Sequence, residues 1–92
     1  MSLFDNTNRM KTNLDLIVED LLKTKKFSRL GKDYVEIFLL SFLNKNKFKK
    51  ERMLIRNLDY RKLVKNAAYK RFLKIVKRVL HASANSKRLA GF

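Results

Sequence analysis

No proline occurs in the chain, and its only glycines are Gly31 and Gly91. Almost nothing is present to break a helix, and tight hairpin turns lack their preferred residues. Apolar side chains that recur every three or four positions therefore read as amphipathic helices. The 92 residues suffice for one domain. At this size about 60–65% of the unfolded chain's surface leaves water on folding, so the core is thin. The expected fold is all-α, a single-domain bundle of four to five helices.

Residues 1–11 show no periodicity and read as a flexible N-terminal arm. Thr12 and Asp15 have capping-box spacing. Leu14, Ile17, Val18, Leu21 and Leu22 follow at helical intervals, in a first helix ending near Lys25. In the connector, Phe27 and Leu30 are placed to turn inward, and Gly31 suits a positive φ. Asp33 and Glu36 repeat the capping spacing. Residues 34–43 are then apolar nearly all round, as a buried helix or an oligomer seam would be. Asn44 and Asn46 are stop signals. A third, shorter helix is expected over residues 47–58, with Phe48, Met53, Leu54, Ile55 and Leu58 on its core side.

Asp59 can cap a fourth segment reaching about His81. Within it Tyr60, Leu63, Val64 and Ala67 share one face. Tyr69, Phe72, Leu73, Ile75, Val76, Val79 and Leu80 share another, about a quarter turn away. One straight helix cannot bury both against one flat partner. The segment either breaks near Ala67–Ala68 or crosses two neighbours. The bundle thus spans residues 12–81, and residues 82–92 read as a flexible C-terminal tail.

The net charge of +15 is unevenly spread. Residues 1–44 carry seven Lys/Arg and six Asp/Glu, whereas residues 60–92 carry ten Lys/Arg and no acid. Such a density repels itself unless a polyanion relieves it. Lys70, Arg71, Lys74, Lys77 and Arg78 fall on one arc opposite the second apolar face, in a line that can follow a phosphate backbone. Lys47, Lys49 and Lys50, with Lys45, cluster at the turn into the third helix. Arg61, Lys62 and Lys65 form another group, and Lys87 and Arg88 extend the basic run into the tail. These thirteen residues, Lys45 aside, are the candidate nucleic-acid contacts. Tyr34, Tyr60 and Tyr69 could stack on bases or pack as boundary aromatics.

Other chemistry has little to stand on. There is no cysteine and one histidine, His81, which argues against a disulfide framework and a protein-only metal site. No acid follows Asp59 to serve His81 as a catalytic partner, so His81 reads as a helix C-terminal residue facing the dipole. No enzyme activity and no cofactor are expected. The first apolar segment is broken by Asp15, Glu19 and Asp20, so it is no signal peptide. The longest apolar run is too short to cross a bilayer. A cytoplasmic location fits. A basic face opposite an apolar face is also the pattern of an interfacial helix. Here that apolar face is needed to cover the second helix, so a membrane surface is set aside. The expected partner is RNA. DNA is the rival, through a helix-turn-helix at Leu58–Asp59–Tyr60. A protein adaptor or homo-oligomer using residues 34–43 is the alternative of another class.

Two segments carry a resemblance. "KTKKFSRLGKDYVE" resembles the start of the N-terminal helical domain of the aminoglycoside-resistance type of small-subunit ribosomal RNA methyltransferases, through Lys25, Lys26, Phe27, Leu30, Asp33 and Val35. "LHASANSKRL" is similar to the segment that leads into that family's methyltransferase domain, through His81, Ala82, Ser83, Arg88 and Leu89. The family's threonine and glutamate are replaced there, and one residue is inserted. The resemblance implies a helical module that helps dock on ribosomal RNA. With no methyltransferase domain in these residues, no S-adenosylmethionine site is expected.

Overall fold

The structure, a computed structural model, describes the backbone of residues 2–90 and the side chains of residues 9–85. Helix α1 is Ser2–Leu22, α2 Lys25–Ser28, α3 Lys32–Leu43, α4 Lys49–Asn57, α5 Tyr60–Leu63 and α6 Ala67–Ala90. A 3-10 turn at Asn46–Phe48 leads into α4. Among the described residues there is no strand. The described residues are all-α, with six helices where four or five were expected; the single-turn helices α2 and α5 make up the difference.

Helix α1 begins well before Thr12, so Thr12 and Asp15 lie inside a helix and cap nothing. The segment before them holds no breaker. Its described end has tertiary partners: Met10 packs on the core, and the Arg9 guanidinium donates to the Asn57 carbonyl at 2.8 Å. Asn13 is buried and donates from its amide to the carbonyls of Ile55 and Leu58, both at 2.7 Å. These carbonyls sit at the end of α4, where the helix no longer supplies amide donors. Asn13 thus ties α1 to α4 by satisfying acceptors that would otherwise be stranded.

Gly31 has φ +94, as the sequence suggested, and stands directly before α3. Lys32 is already helical. Asp33 therefore lies in the first turn instead of at the cap, where its charge still complements the dipole. On α3, Val35, Leu39, Phe42 and Leu43 are buried, while Ile37 and Leu40 are exposed. The helix is half covered, not enclosed on all sides. Met53, expected inside, is also exposed.

The register change after Asp59 is a break. The Asp59 carboxylate accepts from the Lys62 amide at 3.0 Å and caps α5. The chain then turns at Val64–Asn66, and Asn66 restarts the helix by accepting from the Tyr69 amide at 3.1 Å. Of the first face only Leu63 is fully buried, and Val64 is exposed. Helix α6 buries Tyr69, Phe72, Val76, Leu80 and Ala84, while Ile75 and Val79 are partly open to solvent. It continues beyond His81, so the boundaries at 11/12 and 81/82 both fall within helices. Residues 1, 91 and 92 lie outside the described residues, as do the side chains of 2–8 and 86–90 in the expected arm and tail.

The core joins Ile17, Val18 and Leu21 of α1 with Phe27, the buried face of α3, Phe48, Ile55, Leu63 and the α6 stripe. Each such side chain contributes about 1.5–3 kcal/mol relative to exposure. No helix of the described residues is long and apolar enough to cross a membrane.

Candidate nucleic-acid interface

The buried stripe of α6 decides what its other side presents. With Tyr69, Phe72, Val76 and Leu80 turned inward, the 100° step sends Lys70, Arg71, Lys74, Lys77 and Arg78 to an outward arc of about 120°. Lys70, Arg71, Lys74 and Arg78 are exposed, and Lys77 is half-buried. Lys70 and Arg78 stand about 12 Å apart along the axis. None of the five pairs with a carboxylate among the described residues. The Glu19 and Asp20 charges of α1 act instead on Tyr60 and Tyr69. Burial first, then Asp20 and Glu19, raises the Tyr60 phenol. Burial first, then Tyr60 and Asp20, raises that of Tyr69. Asp20 thus acts on the buried side of α6, through Tyr69.

The remaining candidates lie off this arc. Lys47, Lys49 and Lys50 are exposed at the start of α4, with Glu51 diluting their charge. Lys47 Nζ lies 5.2 Å from the Phe48 ring centroid, and Lys45 Nζ lies 5.7 Å from that of Phe42. Phe48 in turn meets Phe72 of α6 edge-on at 5.0 Å. This contact brings the second cluster up to α6. Arg61 and Lys62 on α5, and Lys65 in the turn before α6, are exposed. Their backbone leads directly into the arc. The side chains of Lys87 and Arg88 lie outside the described residues.

Tyr69 is buried and cannot stack on a base; Tyr60 and Tyr34 are half-buried. His81 sits within α6, not at its end, with its ring 4.7 Å from that of Phe27. It therefore does not face the helix C-terminus. Among the described residues no group of three or more His, Cys, Asp or Glu could hold a metal. The Leu58–Asp59–Tyr60 junction is followed by the four-residue α5, too short for a recognition helix.

Two concavities were not foreseen. One, of about 430 Å³, lies between α1 and α3 over Met10, Leu14, Val18 and Leu39, with charges of both signs at its rim. The other, of about 200 Å³, is lined by Tyr34, Ile37, Phe38 and Ser41 of α3. The i, i+4 spacing of Tyr34, Phe38 and Phe42 was its one trace in sequence. No family model matches the chain, and no curated protein or solved structure is significantly similar to it.

Proposed function

We propose that the chain is a non-catalytic RNA-binding module that docks through the outer face of α6. The observation that carries this reading is the arc Lys70, Arg71, Lys74, Lys77 and Arg78, turned from the core and unpaired with any carboxylate of the described residues. Stabilising five like charges on one helix calls for an external polyanion. Each phosphate met would release counterions, so log affinity should fall with log salt by about 0.7–0.9 per contact. Lysine and arginine position a backbone without reading sequence. Recognition of an RNA fold by its shape suits such a face. Arg61, Lys62 and Lys65 precede the arc in the chain, and Lys47, Lys49 and Lys50 add exposed positive charge at the start of α4. The resemblance to the helical domain of ribosomal RNA methyltransferases points to ribosomal RNA as the ligand, and a cytoplasmic location agrees with it.

The test is a fluorescence-anisotropy titration at about 150 mM salt. A structured ribosomal RNA fragment, a DNA duplex of matched length and anionic liposomes are the three ligands. Preference for RNA, lost steeply with salt, is the expected result. The double variant Lys74→Glu/Arg78→Glu changes two exposed positions, so its circular dichroism should match the parent. Its RNA affinity should fall about tenfold or more, since two charge-assisted contacts become repulsive. Unchanged affinity in that variant would remove α6 from the interface. Equal weak binding to all three ligands would make the charge generic and end the RNA reading.

A further inference from the structure

Two rows of side chains meet where α3 packs on α6. Along α3, Tyr34, Phe38 and Phe42 follow at four-residue intervals, stacked at centroid distances of 6.3 and 5.3 Å. Both ends of the row are pinned to α6. The Tyr34 hydroxyl shares a hydrogen bond with that of Ser83. Phe48, stacked on Phe42 at 5.6 Å, meets Phe72. Tyr34 is thus opposite Ser83 and the Phe42 end opposite Phe72, so the helices run antiparallel along this seam. Leu39, Leu43, Val76 and Leu80 close its inner side.

The outer side is open. The groove over Tyr34, Ile37, Phe38 and Ser41 lies there. Ile37 is 65% exposed, and Ile75 and Val79 of α6 are 39% and 38% exposed. Apolar surface of this kind is left in water at a cost, and no element of the described chain covers it.

Charge frames the strip unequally. Past Ile75 and Val79 the α6 surface turns to Arg71 and Arg78 within about 100° of helix rotation. At the Phe42 end stand Lys45 and Lys47. On the far side of Ile37 comes the acid Asp33. A ligand with one anionic edge and one flat apolar edge therefore fits one way round, its charge on α6 and its flat edge in the groove. An unpaired nucleotide strand has that form, whereas a duplex hides its base faces. A shallow groove of about 200 Å³ suits a planar ring better than the several side chains of an acidic helix.

We propose that this seam holds unpaired bases of an RNA strand. A base lies against Ile37 and Phe38, and the phosphates run along Arg71 and Arg78. The inference rests on the RNA-binding reading and narrows it to single-stranded or looped RNA.

The chain has no tryptophan, so Ile37→Trp places a sole indole in the groove at a site already open to water. It is titrated with a twelve-nucleotide single-stranded RNA, the same sequence as a duplex, polyglutamate and anionic phosphatidylserine vesicles. The single strand should quench the indole strongly and the duplex should not. In a parallel anisotropy series, Ile37→Ser should lower single-strand affinity about fivefold and leave duplex affinity unchanged. Equal binding of single strand and duplex, with a silent indole, overturns the inference and spares the α6 reading. Binding of neither RNA overturns both. An indole that responds to polyglutamate or vesicles but not to the single strand assigns the seam to an acidic protein or a lipid surface and overturns the inference.

Discussion

Helices α3 and α6 are antiparallel neighbours that use their side chains in opposite ways. Helix α3 is apolar around most of its circumference, yet only Val35, Leu39, Phe42 and Leu43 are buried, and Ile37 and Leu40 face solvent. Helix α6 concentrates burial in a narrow stripe at positions 69, 72, 76, 80 and 84 and sets five cations on one outward arc, flanked by Ile75 and Val79. A narrow stripe at three- and four-residue intervals is enough to hold a helix on a core. It leaves the remaining arc to solvent. A helix apolar on more sides than its neighbours can cover keeps a surface in want of a partner. The two helices thus offer complementary halves of one surface, a charged half and an apolar half, joined at their seam.

On that division the stripe carries stability and the outer faces do not. Phe72→Ala removes a fully buried ring that abuts Phe48, and should cost about 3–5 kcal/mol. That is a large share of what a domain of this size possesses. Ile37→Ser, on the open side of α3, should change stability by no more than about 0.5 kcal/mol. Urea denaturation of both variants measures the contrast. A small loss for Phe72→Ala would mean that the core can collapse around the gap, and that the α6 stripe is not what fixes the helix.

The next largest effect concerns how the acid-balanced first half is tied to the basic second half. Asn13→Ala leaves the Ile55 and Leu58 carbonyls without their side-chain donor. It should cost about 1–3 kcal/mol. A smaller penalty is expected for Gly31→Ala. A Cβ at residue 31 meets nothing within 4 Å, so only the backbone conformation at φ +94 resists it. That strain is about 1–2 kcal/mol. Urea midpoints distinguish the two, and loss of the Asn13 link should also weaken protection of the amides at the end of α4 in hydrogen exchange.

Much of this fold is legible in the sequence for a simple reason. Without proline, and with Gly31 the one interior glycine, the apolar periodicity has little competition. The quarter-turn offset between the Leu63 and Phe72 faces marks the break that the structure places at Val64–Asn66. The start of α1 at Ser2 is hidden in the sequence because Thr12 and Asp15 imitate a cap. The counter-signal was Asn13, four residues ahead of Ile17 and eight ahead of Leu21, on the stripe that faces the core. A polar residue in that register implies a buried acceptor, but the acceptor lies 42 residues away and cannot be read locally. The basic arc needed only the helical step to be found. The groove beside Tyr34 needed the α3–α6 pairing, which is tertiary, so its spacing alone could not separate a binding strip from core.

A gain in place of a loss is expected on the inner side of α6. The Tyr69 hydroxyl is buried and has no hydrogen-bond partner among the described residues. Burial pushes its phenol above the ordinary tyrosine value of about 10, and Tyr60 and Asp20 add to the rise. A phenol raised on folding keeps its proton in the folded state at a pH where the unfolded chain has lost it. Stability is then fully present below about pH 10 and falls as pH rises past that point, by at most about 1.4 kcal/mol per unit for one group. Tyr69→Phe removes the stranded hydroxyl while keeping the ring. It should stabilise the protein by about 1 kcal/mol at neutral pH and flatten the alkaline limb. The rise at Tyr60 leaves a residual slope. Urea midpoints at about pH 7, 9 and 10.5 measure both, since every group but residue 69 is common to parent and variant and drops out of the difference. A loss of stability at neutral pH would mean that the hydroxyl is hydrogen-bonded to water in solution. The stripe would then be wetter than its burial implies, and the contrast between a dry inner and a charged outer face of α6 would weaken.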